Sequence, residues 1–212
     1  MAINDFWNKF YIEKNPSINN PSSFAVFCKK FISKEDLIID IGAGNGRDTF
    51  FFAKEQHNVI SIDQSKVAID YINSRNEKKI KAFNYSVCSD ILGGKLINAI
   101  ISHDDNTQSR VISFYSRFFL HAISELEQHC FFELINNFRD THFNLFLEFR
   151  TDKDAELSKA TEDHFRRFIN PNDIRHIIEN YNWNLVHYEE GTGLAKYKND
   201  DAYVARMIIK NF

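Results

Sequence analysis

The residues with most chemical promise lie in one short run, Asp40-Ile41-Gly42-Ala43-Gly44-Asn45-Gly46, followed by Arg47-Asp48. Glycines at alternate positions let a backbone bend sharply and approach a ligand with no Cβ in the way. A dinucleotide loop would prefer G-x-G-x-x-G, with pyrophosphate resting on a helix N-terminus. Here the spacing is G-x-G-x-G, and Asp40 would repel a pyrophosphate. An acid at that place suits a cationic ligand, such as one carrying a sulfonium and an amino group. Further acids follow. Asp63 stands about twenty residues beyond the loop, where a carboxylate can accept both hydroxyls of a ribose. Asp90, within Cys88-Ser89-Asp90-Ile91, is placed to accept an adenine amino proton. The plainer reading is a glycine turn with solvent-facing acids.

These residues need strand ends to hold them. Leu37–Ile41 is a short apolar run stopped by glycines, which predicts a parallel strand buried on both faces. Helical spacing over Asp48–Glu55 precedes a second strand, Asn58–Ile62, and Ser65 can cap a helix over Lys66–Ser74. Further strands are expected at Lys79–Cys88, Val111–Ser116 and Phe143–Phe149. Helices around Lys95–Ser102, Ala122–Phe138 and Asn172–Asn180 separate or follow them. Trp183–Glu190 and Ala202–Lys210 read as a closing antiparallel hairpin, because Gly191–Asp201 between them carries no helical pattern. Alternating strands and helices imply a doubly wound α/β sheet, with ligands bound beyond the carboxyl ends of its strands. Ahead of it runs a helical lead-in, broken by the turn-rich NPSINNPSS and resumed as a helix over Phe24–Ile32.

With the D-x-G-x-G-x-G loop and the acids after the second and third strands, the sequence resembles the class I S-adenosylmethionine-dependent methyltransferases. The resemblance spans roughly residues 36–212. It implies a Rossmann-like, mostly parallel seven-stranded sheet with a C-terminal antiparallel hairpin, and S-adenosylmethionine as cofactor. On that basis Asp40, Gly42, Gly44 and Gly46 would form the loop at the methionine part. Asp63 and Gln64 would hold the ribose, with Asp90 and Ile91 at the adenine and Ser116 at the end of the fourth strand. FWNKFY followed by PSSFA is similar to extensions that cover the cofactor in some members. One domain is therefore expected, with residues 1–35 as a helical lid on a core of 36–212. No N-P-P-Y or D-P-P-Y follows the fourth strand, which argues against base or amide N-methylation.

Methyl transfer from a sulfonium is an in-line displacement, so the protein mainly aligns the reacting atoms. A hydroxyl acceptor also needs a base to take its proton, whereas a neutral amine does not. His121 is the first candidate base, with Glu148 and His164 behind it, although a lone His often packs or caps. Arg117 can pair with an acid such as Glu148 or face a negatively charged substrate. Arg150, Arg166 and Arg167 stand near the expected substrate mouth, where guanidinium forks suit phosphate or carboxylate. They equally read as a solvated basic patch. YSRFFLHAI with EFRT and HFRRFI resembles small bacterial methyltransferases of surface-polysaccharide biosynthesis. That resemblance implies O-methylation of a phosphorylated or nucleotide-linked sugar, a small anionic acceptor.

Composition sets the outer bounds. The 212 residues suffice for one domain with a substantial core. A net charge of −3 creates no global field favouring nucleic acid, so no nucleic-acid partner is expected. No apolar run is long enough to span a bilayer, and MAINDFWNKF lacks a basic region followed by an apolar stretch. Cys28, Cys88 and Cys130 are scattered and fit no metal spacing. The expectation is therefore a cytoplasmic enzyme, monomer or homodimer, without metal and with reduced, mostly buried thiols. A nicotinamide-dependent oxidoreductase and a non-catalytic, methyltransferase-like binding subunit are the competing readings.

Overall fold

A computed structural model describes residues 3–13, 20–101, 111–159, 164–197 and 199–212. The lead-in contains α1 (Ile3–Glu13) and α2 (Ser23–Cys28), the latter capped by Ser22, whose side chain accepts from the Ala25 N–H. Then follow β1 (Leu37–Ile41), α3 (Arg47–Lys54), β2 (Asn58–Asp63), α4 (Lys66–Ser74), β3 (Ile80–Asn84) and α5 (Leu92–Ile101). The second half contains β4 (Ile112–Arg117), α6 (Glu125–Asn136), β5 (Phe143–Arg150), α7 (Pro171–Asn180), β6 (Asn184–Gly191) and β7 (Val204–Lys210).

The seven strands form one sheet in the order β3-β2-β1-β4-β5-β7-β6. Pairs among β1 to β5 are parallel, whereas β7 runs antiparallel between β5 and β6. The doubly wound sheet with a C-terminal antiparallel hairpin is thus present. β1 is buried along its whole length because apolar layers cover both faces. Its alternate residues divide between them. Leu37, Ile39 and Ile41 join the layer built with α5, α6 and α7, whereas Ile38 packs with Phe24 of α2 and Phe52 of α3.

Where the sequence marks an end chemically, expectation and structure agree. Glycines stop β1, and Ser65 starts α4 by accepting the Ala68 N–H at 3.3 Å. Ser124 and Glu127 form a capping box on α6. That box begins the helix at Glu125, after a separate 3₁₀ turn at Leu120–Ala122, so the expected helix over Ala122–Phe138 is shorter at both ends. The third strand is also shorter than expected. It loses its last parallel partner where β2 ends, Asp63 pairing with Asn84, and the chain turns away. Part of NPSINNPSS lies outside the described residues.

The expectation of reduced cysteines fails for two of the three. Cys88, just past β3, and Cys130, on α6, form a disulfide, while Cys28 is a buried free thiol. The pairing joins residues 42 apart, so it removes loop entropy from the unfolded chain, by about 4 kcal/mol on the chain-entropy account. Reduction with a dithiol, or Cys88→Ser, should lower the thermal midpoint by several degrees. A melting curve unaffected by both treatments would contradict this.

Candidate functional site

A cleft of about 420 Å³ opens at the carboxyl ends of β1, β2, β4 and β5. That is a volume suited to a small ligand. α1 covers it with Phe6, Trp7, Phe10 and Tyr11.

One wall is the glycine loop after β1. Gly42 and Gly44 have φ of +78° and +55°, in the left-handed region that glycine tolerates. A Cβ on Gly42 would lie 2.4 Å from the Phe119 ring, and one on Gly44 would lie 2.5 Å from the Tyr11 hydroxyl. Alternate glycines therefore let the loop approach both α1 and the segment after β4. Asp63 straps the loop to the end of β2, accepting the Gly44 N–H at 2.9 Å and the Ser65 N–H at 2.8 Å. The close packing around Asp63 raises its carboxyl above the usual range, although those two N–H groups oppose the shift.

Asp40 is the chemical centre of this wall. Its carboxyl is buried and accepts the Thr49 hydroxyl at 2.6 Å. Burial pushes it up to about 7; the Thr49 bond opposes this, whereas Asp48 and Asp63 add to it. A bound cation beside it would recover the ionised form. Asp48 behaves oppositely: despite burial, Arg47, Arg117 and the Ser22 N–H hold it below the usual carboxylate range.

The facing wall comes from β4, β5 and the segment before α7. Phe118 follows β4 with φ +57°, an unusual backbone for a bulky residue and one that aims its ring into the cleft wall. The Arg117 guanidinium covers that ring at 4.1 Å and Arg150 stands at 5.5 Å. Carboxylates hold both arginines. Arg117 meets Glu148 at 2.7 Å, as an ion pair lacking hydrogen-bond alignment, while Arg150 meets Asp154 at 2.7 Å and Asp200 at 2.6 Å. His121 packs edge-to-face beside Phe118 on the cleft lining, largely buried, and its Nδ1 accepts the Arg150 backbone N–H at 3.2 Å. Burial, reinforced by Arg150, Arg166, His164 and Arg117, keeps the imidazole well below its ordinary pKa. His164 stacks on Phe6 at 4.5 Å, with Arg166 beside its ring nitrogens.

Of the residues singled out from the sequence, Asp40, Gly42, Gly44, Asp63 and Gln64 come together on the loop side. Arg117, His121, Arg150, His164 and Arg166 come together opposite them. The others stand elsewhere, for physical reasons. Gly46 caps α3, where a Cβ would strike Ile72 at 2.7 Å. The Ser116 hydroxyl donates to the Ile41 carbonyl at 3.0 Å inside the sheet. Glu148 is sealed between Arg117 and Arg206, which removes it as a base. Arg167 is turned onto α6, reaching Gln128 at 3.1 Å and Glu125 at 3.6 Å. Asp90 and Ile91 are exposed outside the cleft, because β3 ends at Asn84. Tyr85, Ser86 and Val87 instead line a narrow side crevice of about 10 Å³, facing Ile123 and Glu127. Among the described residues, no cluster of His, Cys, Asp and Glu is arranged to hold a metal.

Sequence reasoning missed Phe118, because a left-handed phenylalanine leaves no trace in residue order. It also missed Lys196 and Asp200, which the β6–β7 connection brings to the cleft.

No protein-family model matches the chain, and no curated protein matches it by sequence. Solved structures do. A SAM-dependent methyltransferase from Anabaena variabilis superposes with a TM-score of 0.71 at 15% identity, covering 99% of this chain and 95% of that one. The Burkholderia thailandensis 1,6-didemethyltoxoflavin-N1-methyltransferase, solved with S-adenosylhomocysteine, gives 0.64 at 14% identity over 99% and 87%. Magnesium protoporphyrin IX methyltransferase from Synechocystis, with the same molecule bound, gives 0.61 at 11% over 89% and 80%. The chain has the fold of SAM-dependent methyltransferases.

The Asp40 carboxyl supplies a prediction with a definite sign. Its folded pKa of about 7 lies above the ordinary 3.8, so its favourable contribution is complete below the lower value. That contribution is lost as pH rises to the upper one. Asp40→Asn should melt several degrees above wild type at pH 8 and near it at pH 4, while weakening S-adenosylmethionine binding at least about tenfold. A variant that is no more stable at pH 8 would show that burial does not strain this carboxyl.

Proposed function

We propose that the protein transfers the methyl group of S-adenosylmethionine to a small-molecule acceptor. The observation that carries this is the Asp40–Gly44 loop, strapped by Asp63 and opening onto a ligand-sized cleft at the strand ends. The residues suit the cofactor's parts. Gly42 and Gly44 leave room beside the backbone, and the buried Asp40 gains from a neighbouring ammonium or sulfonium. Asp63 and Gln64 offer acceptors for ribose hydroxyls on the cleft lining. When bound, the cofactor supplies an electrophilic methyl group on a positively charged sulfur.

The acceptor side is the wall of His121, His164 and Arg166. An anionic acceptor is part of the proposal, supported by Arg166 and Lys196 on the cleft lining. Its phosphorylated-sugar form, in surface-polysaccharide synthesis, has only those same cations behind it. Neighbours named as N-methyltransferases share the fold, so the fold by itself does not choose oxygen over nitrogen.

Titration calorimetry with S-adenosylmethionine and S-adenosylhomocysteine tests the donor. Both should bind, and Asp63→Ala should weaken them by about tenfold or more through loss of the ribose and loop contacts. Binding of NADH but of neither adenosyl compound would sink the proposal. Full affinity without turnover on a broad acceptor panel would favour the non-catalytic binding subunit.

A further inference from the structure

The loop side of the cleft contains two side chains that neither the glycine motif nor the strand-end acids account for. Arg47 is the first residue of α3 and lines the cleft together with Asp40. Its Nε–H donates to the Asp48 carboxylate at 3.2 Å. Asp48 is itself fixed, accepting the Ser22 N–H at 2.8 Å, the Ser22 hydroxyl at 2.7 Å and the Tyr115 hydroxyl at 2.7 Å. A guanidinium is a rigid planar fork, so holding Nε restrains the direction of the rest. Among the described residues, its two terminal nitrogens have no hydrogen-bond partner.

Tyr11 reaches the same loop from α1. A Cβ on Gly44 would lie 2.5 Å from its hydroxyl, so the O–H stands directly against the glycine loop. Burial raises its pKa well above the ordinary value, Asp63 and Asp40 add to the rise, and the Arg47 charge opposes it. The phenol therefore keeps its proton, within electrostatic reach of Arg47 and both acids. Asn8, one turn earlier on α1, accepts the Ser65 hydroxyl at 2.7 Å and so ties the helix to the start of α4. With Asp40, Asp48 and Asp63 crowding this side, an anionic group can settle here only against Arg47, with the Tyr11 hydroxyl as a second donor. Asp40 beside them suits a cation. Two opposite charges side by side match a zwitterion.

We infer that Arg47 and Tyr11 bind the carboxylate of the cofactor's amino-acid end while Asp40 faces its ammonium, so that the site selects ligands retaining the complete amino acid. This rests on the methyl-transfer reading above. The terminal edge of a guanidinium can give a carboxylate two parallel hydrogen bonds. With one partner from α3 and the other from α1, the carboxylate bridges the glycine loop and the helix that covers it.

Calorimetry with three compounds tests this. They are S-adenosylhomocysteine, its carboxylate-free analogue 5′-deoxy-5′-(3-aminopropylthio)adenosine, and 5′-methylthioadenosine, which lacks the amino acid altogether. Wild type should bind S-adenosylhomocysteine about tenfold or more tighter than the carboxylate-free analogue. Arg47→Gln should lower affinity for S-adenosylhomocysteine about tenfold or more and Tyr11→Phe about fivefold, and neither should weaken the analogue. Retained binding of methylthioadenosine reports that the variants fold; if Arg47→Gln fails this check, wild type and Tyr11→Phe decide on the same comparison. Two results would each overturn the inference. One is equal affinity of wild type for S-adenosylhomocysteine and the analogue. The other is an equal effect of the substitutions on both compounds, whether none or a shared loss, since damage to the loop alone would not distinguish them. Failure of S-adenosylhomocysteine to bind at all would instead refute the methyl-transfer reading.

Discussion

A single buried carboxylate holds together the end of the sheet on which the cleft is built. Glu148 on β5 lies in register with Arg117 on β4 and Arg206 on β7, and it contacts both guanidiniums at 2.7 and 2.8 Å. Arg206 carries the connection further, donating to the Ser23 hydroxyl of α2 and to the Leu194 carbonyl in the β6–β7 connection. One ionic cluster thus ties parallel and antiparallel parts of the sheet, the lead-in and a cleft-lining loop. A buried charge is tolerable only when its partners are present; removing one partner leaves an uncompensated ion in a medium that solvates it poorly. The constraint also fixes geometry. Arg117 is held where its guanidinium can cover Phe118, and the Phe118 N–H donates to the Glu148 carbonyl at 2.8 Å. The unusual backbone at Phe118 is therefore over-determined by its surroundings.

Charge is sorted across the cleft. Acids predominate on the loop side, with Asp40, Asp48 and Asp63 beside Arg47, and guanidiniums and imidazoles predominate opposite, beside Asp200. Such a division suits two ligands of opposite sign placed end to end, and it requires that neither wall neutralise the other. Asp48 and Glu148 engage Arg47 and Arg117, the first within the lining and the second from behind it. α1 covers the cleft with aromatic rings rather than charges, so it adds to neither side.

The parts of this structure legible in the sequence are those written in local chemistry. Glycines after Ile41 and the serine before Lys66 mark ends through backbone freedom and capping, both decided within a few residues. The doubly wound class followed from the alternation of strands and helices, and the closing hairpin from the lack of helical spacing in Gly191–Asp201. The third strand was misjudged because Lys79–Cys88 stays compatible with a strand past the point where β2 ceases to offer a partner. With the strand ending early, Asp90 lies exposed outside the cleft. Pairings between distant residues were not legible. Arg117 and Glu148 were suggested as partners, but nothing in residue order shows Arg206 completing the cluster, or Asp154 and Asp200 engaging Arg150. The tautomer of His121 depends on a backbone N–H from another strand. It therefore read as a residue with both ring nitrogens available, whereas Nδ1 is taken by the Arg150 N–H.

The disulfide bridges the two walls of the side crevice. Cys88 adjoins Val87 on one wall of the side crevice, and Cys130 lies one helical turn beyond Glu127 on the other. The bond therefore resists any widening between those walls. By thermodynamic reciprocity, a molecule whose binding parts the walls eases reduction of the bond by the same factor that reduction favours its binding. Occupancy of the crevice and the thiol–disulfide poise of the surroundings would then report on one another.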